Sequence, residues 1–409
     1  MVVDGGRKRR VVVLVGAVSV GAVVAMQAGC GEGRSPRGAP APSEARVRVA
    51  SAKLAAVRVD PPAAPAPYRV PASATRITSS HALAEALVDG RRESLVLARG
   101  TYDSARPFVD RDGDRIYASR LGAAVLKAGL VVGANEGRSG ALVRGIRFDV
   151  SDPRKTLDGA IVHVWGSATH AQVLDSSFDG HGVVDAGLVV RQPEGFVARR
   201  LTLTSFRSYG VLVDPNRDGY RASAPYVLSD LAISNVQRRV PGSSDGTAEA
   251  CLWLGSKGTA RRLSVRRCGV SGIWTGSAIT GSRIGDVAID RTRVGIYIEH
   301  FTTGTTFRRL RVGPDVSRGV NAEWANGAVG GRPASVDNVI EDGYFETKVV
   351  GVYLDEGTTR TTIRRCKFVG QSWAAIGDYK GVDNRYADND YRAIAARAVA
   401  ISFDHGGGR

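Results

Sequence analysis

Three carboxylates stand at one offset in successive repeats of this chain: Glu299, Glu323 and Asp355. Two residues before each comes a ring or an amide, Tyr297, Asn321 and Tyr353, and Trp274 holds the same place one repeat earlier. Period-two alternation turns Ile296 and Ile298 inward, which turns Tyr297 and Glu299 outward. If the repeats stack as coils about 4.8 Å apart, the carboxylates form a surface column beside a column of rings. Adjacent carboxylates then stand about 5 Å apart and alternate ones about 10 Å. Acid and base or nucleophile in glycoside hydrolysis are separated by roughly 5–9.5 Å. Flat amphipathic rings suit the C–H faces of a sugar chain, whose hydroxyls take hydrogen bonds. Glu299, Glu323 and Asp355 are therefore the catalytic candidates, and Trp274, Tyr297, Asn321 and Tyr353 the substrate-binding ones. Stacked carboxylates repel, which raises one pKa or calls for a cation. The first outcome gives a protonated general acid; the second gives a Ca2+ ion bridging acidic sugar and protein. Ordinary outward surface is the plainer reading of the same column.

The elements that must position these residues are read from a recurring phrase, a small residue followed by alternating aliphatic positions. It runs Ala160-Ile161-Val162-His163, Gly187-Leu188-Val189-Val190, Gly210-Val211-Leu212-Val213, Gly272-Ile273-Trp274-Thr275 and Gly295-Ile296-Tyr297-Ile298. It continues through Gly319-Val320-Asn321-Ala322, Gly351-Val352-Tyr353-Leu354 and Ala398-Val399-Ala400-Ile401, with one further turn around Cys251-Leu252-Trp253-Leu254. Steps of roughly 23–32 residues mark a solenoid whose units bury their apolar faces only by stacking. Alternation without helix-length apolar stripes makes it all-β. A second strand phrase follows in many coils, as in Arg199-Arg200-Leu201-Thr202-Leu203 and Arg308-Arg309-Leu310-Arg311-Val312. Insertions at 214–224 with 240–247, and at 326–335, are placed to become side loops.

A helical segment, Ser79 to Val88 with serines placed to cap it, precedes Ser94-Leu95-Val96-Leu97-Ala98-Arg99-Gly100-Thr101-Tyr102, a strand into a glycine turn. Here the chain resembles the pectate-lyase-like superfamily of right-handed parallel β-helices, over residues 73 to about 405. The resemblance implies a single-stranded parallel β-helix of about ten coils with a short N-terminal capping helix. It is almost silent on reaction, since lyases, hydrolases, epimerases and non-enzymatic spikes share the fold. In the superfamily's lyases an Arg or Lys abstracts the C5 proton of a uronate, and Lys348 and Lys380 stand in register for that role. Gly180-His181-Gly182, beside Asp175, Asp179 and Asp185, matches one motif of the polygalacturonase-like hydrolases, whose other motifs are absent.

Arg7-Lys8-Arg9-Arg10, an apolar run from Val11 to Met26, and Gln27-Ala28-Gly29-Cys30 form an export signal. The ending resembles the lipobox of bacterial lipoproteins, which makes Cys30 the lipidated first residue and the membrane a partner. Gln27 stands where that family carries leucine, so plain secretion and an uncleaved anchor stay open. The expected organisation is a signal over 1–29, a lipidated Cys30 with a Pro/Ala-rich tether over 30–72, and a β-helix over 73–409.

The net charge is +16, yet only 8 of the 56 basic residues are lysine, and the arginines are dispersed in pairs such as Arg261-Arg262 and Arg364-Arg365. No recognised motif accompanies the charge, so nucleic acid is not the expected partner. A solvated basic face and attraction to an acidic polysaccharide are the two readings. Cys251, Cys268 and Cys366 are read as buried thiols, with Cys268 and Cys366 in the same slot of two repeats and a Cys251–Cys268 bridge as the alternative. No Cys/His spacing suggests zinc, and Asp110-Arg111-Asp112-Gly113-Asp114 reads as an acidic turn rather than a calcium loop. His300 is a further acid or base candidate. The function these readings support is an exported, lipid-anchored β-helix acting on a uronate-containing polysaccharide as lyase, hydrolase or epimerase. A non-catalytic glycan-binding or structural surface protein is the alternative.

Overall fold

The computed structural model describes residues 68–134, 139–165, 168–191, 194–214, 225–237, 250–276, 279–299, 301–322, 335–394 and 397–401. The export signal, Cys30, His300, Glu323 and most of the expected insertions lie outside them. Among the described residues no helix is long and apolar enough to cross a membrane. Tyr68, the first described residue, is held on the coils. Its hydroxyl donates to the carbonyls of Ala118 and Arg144, and the Arg144 guanidinium lies 5.0 Å from its ring centre.

Among the described residues the coils run through three main strand stretches that pair in parallel from coil to coil, and a short fourth one, Thr302–Thr303, Ser335–Val336 and Thr358–Thr359, makes a parallel sheet of its own. One coil reads Arg283–Gly285, Val287–Asp290 and Val294–Ile298, each against the matching stretch of the Gly258–Thr275 coil. Inward positions of the middle stretch stack into a continuous core row. Phe148 lies on Phe178 with centroids 4.8 Å apart, and Phe345 on Phe368 at 5.2 Å. The expected helix forms over Ser80–Ala86, with Ser79 accepting from the Ala82 amide, and Leu83 and Leu87 joining the core.

The small residue of the recurring phrase has a steric cause. A Cβ at Gly272 would stand 2.7 Å from the carbonyl oxygen of Gly295, and one at Gly187 2.7 Å from that of Gly210. The next coil's backbone occupies the space of a side chain. The register adds a coil that the sequence pattern passed over, Ala374–Asp378, paired to Val350–Leu354 before it and Arg397–Ile401 after it.

The arginine pairs are only half a solvated face. Along the corner between the first and middle stretches the residues Asp175, Arg200, Asp230, Arg262, Asp286, Arg309, Asp342, Arg365 and Asp388 follow one another coil by coil. All nine are left-handed, with φ between 50° and 58°. Each arginine reaches back to the aspartate of the preceding coil. The Nη2–Oδ2 distances are 3.0 Å for Arg200–Asp175, 2.7 Å for Arg262–Asp230 and 2.7 Å for Arg309–Asp286. Arg365 Nε lies 2.7 Å from Asp342 Oδ1. These two-point contacts neutralise charge and hold a corner conformation that non-glycine residues seldom adopt. Hydrogen bonds from Arg262 keep the Asp230 carboxyl below its ordinary range.

The cysteine assignment is corrected. Cys251 and Cys268 form a disulfide, and Cys366 is a free, buried thiol. Cys268 and Cys366 do not share a slot: Ile363 is in register with Ile340, Phe307, Ile284 and Ala260, which aligns Cys366 with Leu263. The Arg-Arg phrase occurs in two different stretches, and equating them shifts the alignment by a whole stretch.

Candidate functional site

The third stretch of each coil carries the ring column. Cα register runs His163, Val189, Leu212, Trp253, Trp274, Tyr297, Asn321, Tyr353, Gly377 and Ala400. Trp274, Tyr297, Asn321 and Tyr353 therefore stand on consecutive coils in the expected order. Trp253 extends them toward the N-terminus. The rings are in contact: Trp253 and Trp274 stack at 5.0 Å and 7°, and Tyr297 lies 4.4 Å from Trp274. Tyr209, at the start of the preceding third stretch, meets Trp253 edge-on at 5.7 Å. Four half-buried rings thus form an unbroken surface from Tyr209 to Tyr297. Gly276 makes room for it, since a Cβ there would stand 2.6 Å from the Trp253 Nε1.

Beyond Tyr297 the column changes character. Asn321 is buried, its side-chain oxygen accepting from Arg318 Nη1 at 2.9 Å. The Arg318 guanidinium lies 5.4 Å from the centre of the Tyr353 ring, which neighbours Trp373 at 6.0 Å. Burial first, and then Asp355, push the Tyr353 hydroxyl up to about 12.

Two of the three carboxylates are described. Glu299 accepts a hydrogen bond from the Trp274 indole N–H at 2.9 Å. Asp355 accepts one from the Glu356 amide, and its own amide donates to the Ala322 carbonyl. Residues 298, 322 and 354, just before the three carboxylates, are in register. Glu323 itself lies outside the described residues. Lys348 sits before its strand and pairs with Asp315 at 3.5 Å. That is five residues from Tyr353, about 16 Å along an extended chain. Lys380 lies 3.9 Å from Glu356 and 4.9 Å from the Tyr379 ring centre.

At the N-terminal end of the ring surface lies a cleft of about 290 Å³, lined by Asp158, Asp185, Arg191, Arg207 and Tyr209 over an apolar floor of Val189 and Leu212. Arg207 faces Asp185 at 3.6 Å. His163, one coil before Val189 in the column, is 1% exposed, with Nδ1 3.9 Å from an Asp158 oxygen. Burial and then Arg191 hold its pKa below the ordinary histidine value, so the ring is neutral. Beside His163, at 5.3 Å between rings, the exposed Trp165 stands on the coil before that of Val189 and Arg191. The face thus offers rings, then two carboxylates and two guanidiniums, then another ring.

Sequence reasoning missed this cleft. A one-residue slip set Ala160 against Gly187, whereas the register sets Ile161 there, and such a slip exchanges the faces of a strand. Corrected, His163 moves outward into the column. Asp185 was noticed, but grouped with residues it does not meet. Asp175 belongs to the charged corner, between Arg144 and Arg200. His181 reaches Asp149, which also binds Lys127 at 2.8 Å, on the outer side of the middle stretch. Asp158 and Arg207 come from turns, which carry no period.

The acidic turn is one, as expected. Asp110 Oδ1 accepts from the amides of Asp112, Gly113 and Asp114, while Asp112 and Asp114 accept from Gly90 and Glu93. It ties the segment after the helix to the first coils. Among the described residues no group of three or more His, Cys, Asp or Glu side chains is arranged to hold a metal ion.

No family model matches the chain, and no curated protein matches it by sequence. Among solved structures, a mannuronic-acid-specific polysaccharide family 6 lyase from human gut microbiota superposes with a TM-score of 0.57 at 10% identity, over 80% of this chain and 91% of that one. The A-module of a mannuronan C-5 epimerase from Azotobacter vinelandii gives 0.45 at 12% identity, over 80% and 98%. A surface adhesin of Streptococcus pneumoniae gives 0.45 at 9%, over 81% and 92%. The first likeness is one of fold, and it agrees with the coil register: the chain is a parallel β-helix.

Proposed function

We propose that the protein binds and processes a uronate-containing polysaccharide laid along the ring column. In this reading it is a lyase, hydrolase or epimerase on a right-handed β-helix of about ten coils, capped by the helix Ser80–Ala86. Export and a lipid anchor at Cys30, with a tether to about residue 67, would hold it at a cell surface. The observation that carries the reading is the unbroken ring surface Tyr209–Trp253–Trp274–Tyr297, which opens at one end into a cleft with both signs of charge. Rings stack on sugar faces. Arg191, Arg207 and Arg318 suit carboxylates on the sugar. Glu299, Glu323 and Asp355 are the proposed catalytic carboxylates, with Trp274, Tyr297, Asn321 and Tyr353 holding the chain beside them.

The test is incubation of the purified protein with polyuronates and neutral glucans, with and without Ca2+. Unsaturated products are followed by absorbance, cleavage by reducing ends and epimerisation by proton NMR. Turnover of a polyuronate that is lost in Glu299→Gln, Glu323→Gln or Asp355→Asn, with binding kept, supports the reading. One observation favours a non-catalytic glycan-binding protein instead: the Glu299 carboxylate is already engaged by the Trp274 indole. Binding without turnover of any substrate would decide for it.

A further inference from the structure

On another face of the solenoid, the outer side of the first stretch, a hollow of about 370 Å³ lies around Gly285. Arg261 and Arg308 flank that glycine in register on the two neighbouring strands, and Arg283 stands two residues before it on its own strand. With strands about 4.8 Å apart, the two flanking backbones are about 10 Å apart across the gap. Gly285 leaves the gap open. A Cβ there would find the Arg308 carbonyl at 3.3 Å and nothing else nearer than 3.9 Å.

The charges around the hollow are not balanced. Arg262 and Arg309 are spent on Asp230 and Asp286 in the corner ladder. Arg308 pairs with Asp342 at 3.1 Å and faces Glu341 at 3.6 Å. Among the described residues Arg261 and Arg283 form no side-chain ion pair or hydrogen bond, and both are exposed. They are diagonal neighbours on adjacent strands, about 7–8 Å apart at the backbone. Two unpaired guanidiniums rooted that close are within reach of one anion, which would offset their mutual repulsion. Their planar forks match the paired oxygens of a carboxylate or sulfate. The hydroxyls of Thr259 and Thr306, in register on either side of Arg283, add donors.

We propose that this hollow is a second anion site, which takes a carboxylate or sulfate group borne on an acidic glycan, with Arg261, Arg283 and Arg308 as its ligands. It lies on a different face from the ring column and stands whether or not the column binds sugar. Its role is to hold a charged chain at the flank of the solenoid.

The experiment uses the full exported protein and isothermal titration with three probes: a tetragalacturonate, a heparin-derived hexasaccharide and inorganic sulfate. Arg261→Ala with Arg283→Ala is expected to weaken binding of at least one oligosaccharide roughly tenfold or more and to flatten its dependence on salt. Gly285→Glu, which places a carboxylate in the hollow, should do the same, with circular dichroism confirming the fold. In a Trp253→Ala background, which weakens the ring column, the two arginine substitutions should still remove a further tenfold or more of the remaining binding, which separates failure of this site from failure of the column. A preference for tetragalacturonate or the hexasaccharide tells carboxylate from sulfate. The proposal is overturned if the double arginine variant binds both oligosaccharides like the parent, or if only inorganic sulfate binds.

Discussion

The Trp274 indole lies flat on that of Trp253, planes 7° apart and centroids 5.0 Å apart, while its N–H donates to Glu299. One side chain thereby links the ring surface to a carboxylate of the neighbouring column. A sugar lying along the edge of the ring row at Trp274 would have the Glu299 carboxylate beside it. The contact follows from register alone, because Trp253 and Trp274 are strand partners.

A corner-ladder aspartate and an exposed one set a stability contrast. Asp175 is 3% exposed and serves both Arg144 and Arg200, whereas Asp337 is 50% exposed and serves Arg360. Asp175→Ala leaves two largely buried guanidiniums without a partner and should cost about 3–5 kcal/mol. Asp337→Ala should cost far less, since its pair with Arg360 is exposed to solvent. Urea unfolding of both variants checks the order, and equal losses would contradict it.

The acidic turn makes stability depend on pH. Burial, ahead of its acidic neighbours, pushes Asp114 up to about 7 from an ordinary value of 3.8, and burial raises Asp110 as well. The folded state therefore holds a proton that the unfolded chain releases near pH 4. Stability from this source is full below about pH 4 and is lost as pH rises through about 7, an effect of roughly 2–4 kcal/mol. Asp114→Asn should flatten the fall between pH 4 and 7 in thermal melts. An unchanged slope would remove Asp114 as its cause.

The thiols should differ sharply. Burial pushes Cys366 up to about 11, so it stays protonated and inert at neutral pH. Peptide mapping without reduction should give a Cys251–Cys268 cross-link, with Cys366 alkylated only after unfolding. Rapid labelling of Cys366 in the native protein would contradict this.

Much of the ring column was legible in the sequence because period-two alternation and a sterically required small residue mark the third stretch of each coil. Trp253 escaped because Cys251 takes the small residue's place in its phrase, and Gly377 because the column position of its coil carries no side chain. His163 was lost to a one-residue slip at Ala160, where Ile161 occupies the small slot. The corner was half legible: the Arg-Arg phrases were seen, but their aspartate partners lie 23 to 32 residues away in neighbouring coils. The cleft was illegible, since Asp158 and Arg207 belong to turns, whose residues meet only once the coils stack.

The ring surface is tested most directly by titrating the parent, Trp253→Ala and Trp274→Ala with a polyuronate oligosaccharide. Each variant should lose about 1–2 kcal/mol of binding, roughly 5- to 30-fold in Kd, with the fold intact. Should the polyuronate bind both variants as tightly as the parent, the column carries no glycan.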